Sequence, residues 1–153
     1  MLTDFYGNNL TTSTGLARDS YDIGLRAFLS ANYGAQEAFS QSIEADPNFA
    51  LAYLGLARAF MSSGHAPEAK AALGKAKNLL DGVTDREKSH FLCCELILLG
   101  EAKKARAAVH HHVSEWPRDA MVAQMNTSVF GLIGFSGEVG REIDLLEYTE
   151  RLL

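Results

Sequence analysis

Apolar residues recur along the chain with the period of an amphipathic helix, and the stripes they form recur at a longer period. On one set of segments the stripe falls at offsets 0, +3, +4 and +7: Tyr21, Gly24, Leu25 and Phe28, then Tyr53, Leu56, Ala57 and Phe60. Ser89, Leu92, Cys93 and Leu96 repeat it with polar substitutions, and Ala123, Asn126, Thr127 and Phe130 follow it more loosely. These offsets trace one face of a 3.6-residue helix, which must be buried against a neighbour. Between them lies a second pattern, a small residue followed by positions at +4 and +7: Ala35, Phe39, Ser42; Ala69, Leu73, Ala76; Ala105, Val109, His112; and Val139, Ile143, Leu146. The leading residues stand 34, 36 and 34 apart. Two alternating stripes with a fixed period of this size predict an all-α chain of about four helix-turn-helix hairpins, each completing its core by stacking on the next.

The turn residues follow the same period. Gly64, Gly100 and Gly134 each precede the small residue by five, where a helix ends in left-handed backbone, and Gly34 is expected to do so for the first hairpin. Pro47 and Pro117 each follow the small residue of their unit by twelve, at the break between hairpins. Thr84-Asp85-Arg86-Glu87 reads as a capping box. The expected helices are 13–30, 35–45, 48–63, 66–80, 85–99, 101–114, 118–133 and 137–153. An irregular segment at 1–12 then precedes a single helical-repeat domain at 13–153, with units at 13–47, 48–83, 84–117 and 118–153. Ser42 and His112 stand on packing stripes where a small apolar residue is usual, so packing there is expected to be partly polar.

Composition narrows the function. A length of 153 residues suits one domain. Its 14 basic and 19 acidic residues give a net charge of −5, which disfavours a nucleic-acid partner. No run approaches the ~18 apolar residues of a membrane span, and no basic start leads into an apolar leader, so no membrane partner and a cytoplasmic location are expected. The only cysteines, Cys93 and Cys94, are adjacent, a geometry that strains a disulfide and suits a reducing compartment.

The period and the residues above resemble the tetratricopeptide repeat over roughly residues 16–153. Leu10-Thr11-Thr12-Ser13, Ala45-Asp46-Pro47-Asn48-Phe49, Arg86-Glu87-Lys88-Ser89-His90, Trp116-Pro117-Arg118-Asp119-Ala120-Met121 and Gly131-Leu132-Ile133-Gly134-Phe135-Ser136-Gly137 also resemble, in that order, the tetratricopeptide-repeat protein 38 family. The resemblance implies an α-α superhelix whose concave groove is lined by the first helix of each hairpin, and a chain matching the N-terminal third of longer relatives. It places Asp22, Arg26 and Leu29 in the groove from the first unit, and Leu51, Leu54, Arg58 and Met61 from the second. The third unit adds Glu87, His90, Cys94 and Ile97, and the fourth Met121, Gln124, Ser128 and Leu132. None of these positions is Lys or Asn, so the carboxylate clamp of chaperone-binding relatives is not expected.

Candidate chemistry is thin. Arg86 and Glu87 stand one turn before His90 and could flank it as an acid–base pair, but the capping box already accounts for Glu87. His110-His111-His112 cannot share one metal ion, because consecutive helical side chains point about 100° apart. Cys93 lies on a buried stripe, whereas Cys94 is expected to point toward the groove. The glycine-rich run at 131–137 lacks the lysine and preceding strand of a phosphate loop and reads as a turn between helices. Lys103, Lys104 and Arg106 read as a solvated outer face. No catalytic residue, cofactor or metal is assigned. The expected function is a non-catalytic scaffold that binds a protein or peptide in the groove. The alternative is a longer enzyme or small-molecule binder to which His90 and groove residues contribute. The last helix ends in exposed leucines, an edge expected to be covered by a second copy or by further repeats.

Overall fold

The computed structural model describes residues 1–127 and 130–153. Three packed hairpins, α1 (Gly15–Leu29) with α2 (Ala35–Ala45), α3 (Ala50–Ser62) with α4 (Ala66–Lys77), and α5 (Asp85–Leu98) with α6 (Ala102–Glu115), stack in chain order. A short α7 (Ala120–Ala123) continues as a 3-10 turn over Gln124–Asn126, and α8 (Arg141–Glu150) follows. The architecture is an all-α superhelix of paired hairpins, with eight α-helices among the described residues.

The second-helix stripe explains the stacking in the first three units. Ala35, Phe39, Ser42, Ala69, Ala76, Ala105, Val109 and His112 are all buried. Phe39 is wedged between two inner helices that keep glycine opposite it; a Cβ on Gly24 or Gly55 would come within 2.7 or 2.4 Å of its ring. The polar members of the stripe are satisfied in place. The Ser42 hydroxyl donates to the Ala17 carbonyl at 2.8 Å, and His112 Nδ1 lies 2.9 Å from Ser89 Oγ.

Each of these hairpins turns through the same two backbone bonds at the end of its first helix. His65 N–H reaches the Phe60 carbonyl and Gly64 N–H that of Met61; Glu101 and Gly100 repeat the pattern onto Leu96 and Ile97. This is a Schellman motif with a left-handed residue just past the cap. Gly64 and Gly100 fill that position in units two and three. In unit one the position belongs to Ala31, at φ 55°, whereas Gly34 sits three residues on as the cap that starts α2.

The fourth unit departs from the period. Instead of a helix over 118–133, regular α structure ends at Ala123, and Leu132 N–H turns back to the Met125 carbonyl. Gly131, Gly134, Gly137 and Gly140 follow in quick succession, each costing roughly 1 kcal/mol in a helix interior. The left-handed glycines here are Gly137 and Gly140; Gly134 does not take that conformation. The final helix therefore starts at Arg141 and faces inward with Tyr148, whose hydroxyl donates to the Ala123 carbonyl at 2.8 Å. The expected stripe of Val139, Ile143 and Leu146 is left exposed.

Candidate functional site

The first helices of the hairpins touch one another and form the inner layer, and α7 folds across it to reach α1. Arg58 of α3 locks α7 in place, donating to the Met121 carbonyl at 3.0 Å and to Gln124 Oε1 at 2.8 Å while its guanidinium lies over the Phe28 ring. Burial lowers the Arg58 pKa from its usual value.

One end of the inner face is occupied by residues 1–12. Asp4 folds this segment by accepting from the backbone of Tyr6 and Asn8, and an isolated bridge pairs Thr3 with Asn9. Polar groups of the inner helices then hold it. Phe5 N–H donates to Asp22 Oδ1 at 2.9 Å, the Arg26 guanidinium covers the Phe5 ring, and Arg86 donates to the Asn9 carbonyl at 2.9 Å. Glu87 completes the capping box with Thr84 and accepts from both the amide and the hydroxyl of Thr11. Leu10 is buried in the core.

Beneath this segment lies a buried ionic cluster centred on Asp119, the residue that caps α7. Its Oδ2 lies 2.5 Å from Arg86 Nη1, 3.1 Å from His90 Nδ1 and 3.2 Å from His112 Nε2, the last off the line of a hydrogen bond. Burial alone would deprotonate His90, but Asp119 outweighs it and holds the imidazole pKa at about 9. For His112 burial prevails over Asp119, and its pKa is lowered. Burial opposes the Asp119 charge, yet His90, His112 and Arg86 together hold its carboxyl well below the usual range. Near neutral pH the cluster is thus a carboxylate between a guanidinium and an imidazolium, with the second imidazole neutral. Cys93 is buried beside Cys94, and burial pushes its thiol up to about 12, which makes it unreactive.

The other end of the inner face is open. A cavity of about 690 Å³ lies between α1, α3, α5, the start of α6 and residues 124–125 and 130–138. Phe28, Met61, Ile97, Met125, Phe130, Leu132 and Phe135 give it apolar walls, while Arg58, Gln124, Lys103, Arg106 and Glu138 supply its polar groups. Arg106 donates to Glu138 at 2.7 Å across the rim.

The inner residues expected from the sequence therefore divide three ways. Arg58, Met61 and Gln124 line the cavity, together with Ile97 and Leu132. Asp22, Arg26 and Glu87 engage residues 1–12, and His90, Cys94 and Leu54 are buried without lining it. Ser128 lies outside the described residues. Sequence reasoning passed over Asp119 as a functional residue, although it stands 35 positions after Thr84, which stands 35 after Phe49, and each caps the first helix of its unit. It also missed Phe130 and Phe135 as cavity walls, having placed them in a helix and a turn.

Stacked helical hairpins with a lined inner face define a helical-repeat protein. A tetratricopeptide-repeat family model matches residues 34–87, from the cap of α2 into the first turn of α5, so a repeat region of that type is present there. Comparison with curated proteins and with solved structures finds no match. Among the described residues no helix is long and apolar enough to cross a membrane, and no group of three or more His, Cys, Asp or Glu side chains is placed to hold a metal ion.

Proposed function

We propose that this chain is a non-catalytic protein-interaction module whose open half-groove captures an apolar segment of a partner protein. The cavity beside Met61 and Met125 carries this reading: it is concave, apolar and bordered by a few fixed polar groups, the usual form of a recognition pocket. Against an enzyme stands the position of the acid–base residues, since His90 and Asp119 are committed to a buried ion cluster away from the cavity lining. The cavity volume also falls within the ~300–1,000 Å³ range of small-molecule sites, which keeps a small ligand as a second reading. Kinship with the tetratricopeptide-repeat protein 38 family is proposed on the five sequence segments quoted above, and a cytoplasmic location on the two free cysteines.

Selection of random dodecapeptides on the immobilised protein tests the reading. Binders with apolar anchors are expected, and Met61→Glu or Phe135→Glu should weaken them at least tenfold. Selection that yields no binders, or binders indifferent to both substitutions, would overturn it.

A further inference from the structure

We propose that the segment received by this cavity is α8 of a second copy of the chain, exchanged reciprocally in a two-fold dimer. The inference rests on the cavity being a docking site for apolar segments, and three observations point to this occupant.

The first is the misplaced stripe. Val139, Ile143 and Leu146 occupy positions that are largely buried in the other three units, yet Val139 is fully exposed and the other two are more than half exposed. Phe130 and Phe135, on the lip of the cavity, are 81 % and 78 % exposed. Soluble monomers seldom leave apolar side chains clustered along one stretch of surface without a partner for them.

Charge is the second. On α8 the exposed acids Glu142, Asp144, Glu147 and Glu150 accompany the apolar face. Across from them in kind, α6 opens with Lys103 and Lys104 and has no acid in its first turn. Cations there meet a helix end whose dipole is positive, and Glu101 at the cap offsets only part of that charge, so a further carboxylate is favoured. Lys104 pairs with Glu101 and Arg106 with Glu138, and among the described residues Lys103 makes no ion pair. Lys103 is thus a cation on the cavity rim without an ion-pair partner among the described residues, and the acidic apolar helix offers it a complementary surface.

Topology is the third. The cavity lip at residues 130–138 runs directly into α8, so donor and acceptor lie on neighbouring parts of one surface. A two-fold contact needs this self-complementarity, each copy giving its helix to the other's cavity.

Sedimentation equilibrium of the full chain tests the proposal. The mass should rise from the monomer's 16.7 kDa toward twice that value across the micromolar range. Raised salt should weaken the dimer by screening. Leu146→Glu and Lys103→Glu alter exposed side chains, so helical content should persist by circular dichroism while the dimer dissociation constant rises at least tenfold in each. A monomer at every concentration, or a dimer indifferent to both substitutions, would overturn the proposal. Selected peptides that still bind the cavity of such a monomer would leave the interaction-module reading standing.

Discussion

Asp119 is the residue at which α5, α6 and α7 meet, and its environment sets how stability depends on pH. Replacing it with Asn keeps a polar cap for α7 but leaves Arg86 and His90 buried without their counter-charge. Loss of one partner from a buried ion pair costs roughly 3–5 kcal/mol, so Asp119→Asn should lower the unfolding free energy measured by denaturant titration by an amount of that order. His90 gives the opposite test. Its pKa is about 9 in the fold against 6.5 ordinarily, so its contribution is complete below pH 6.5 and is lost as pH rises through 9. The span between those values corresponds to about 3 kcal/mol. His112, lowered in the fold, acts on the acid side, where stability falls as pH drops below 6.5. Unfolding midpoints measured against pH should therefore be highest near 6.5, and His90→Gln should flatten the alkaline decline. An alkaline decline unchanged in that variant would contradict the assignment.

At the level of the hairpin, the repeating turn makes a stabilising substitution foreseeable. Units two and three place Gly64 and Gly100 in the left-handed position, and unit one places Ala31 there at φ 55°. Left-handed backbone costs a residue with a Cβ ~1–2 kcal/mol, and part of the gain on removing it is returned as unfolded-state entropy. Ala31→Gly should raise thermal stability by up to about 1 kcal/mol, read as a higher melting temperature. A lower one would mean that the turn is not strained. These elements also mark where the sequence was legible. Ala35, Ala69 and Ala105 announce second helices because close helix contact selects small residues, and Thr84 with Glu87 announces a cap because each side chain accepts from the other's backbone amide. Val139 carries the same spacing but misleads. The helix that would have covered it ends at Ala123, left-handed Gly137 and Gly140 hold the start of α8 back to Arg141, and the Tyr148 hydroxyl turns α8 to a different face. Periodicity records which positions match, whereas helix propensity decides whether the partner element forms.

Across the whole molecule, the inner face is shared between the chain's own residues 1–12 and an open cavity. The resemblance to the tetratricopeptide repeat placed Asp22, Arg26 and Glu87 on the same face as Arg58, Met61 and Gln124. What it could not convey was that the first three are engaged by residues 1–12, because those contacts span up to 76 positions and depend on single side chains meeting one backbone amide or one ring. The division explains how an inner layer rich in polar groups leaves a largely apolar cavity: Asp22, Arg86, Glu87 and Asp119 are satisfied at the occupied end. The methionines report on this arrangement directly. Met61 and Met125 line the cavity, while Met121 is buried at the α7 contact that Arg58 holds. Titrating methyl-labelled methionine protein with a peptide selected as above should shift the Met61 and Met125 methyl resonances together and leave Met121 and Met1 in place. Saturable binding that leaves Met61 and Met125 unmoved would contradict the assignment of the open half-groove as the binding site.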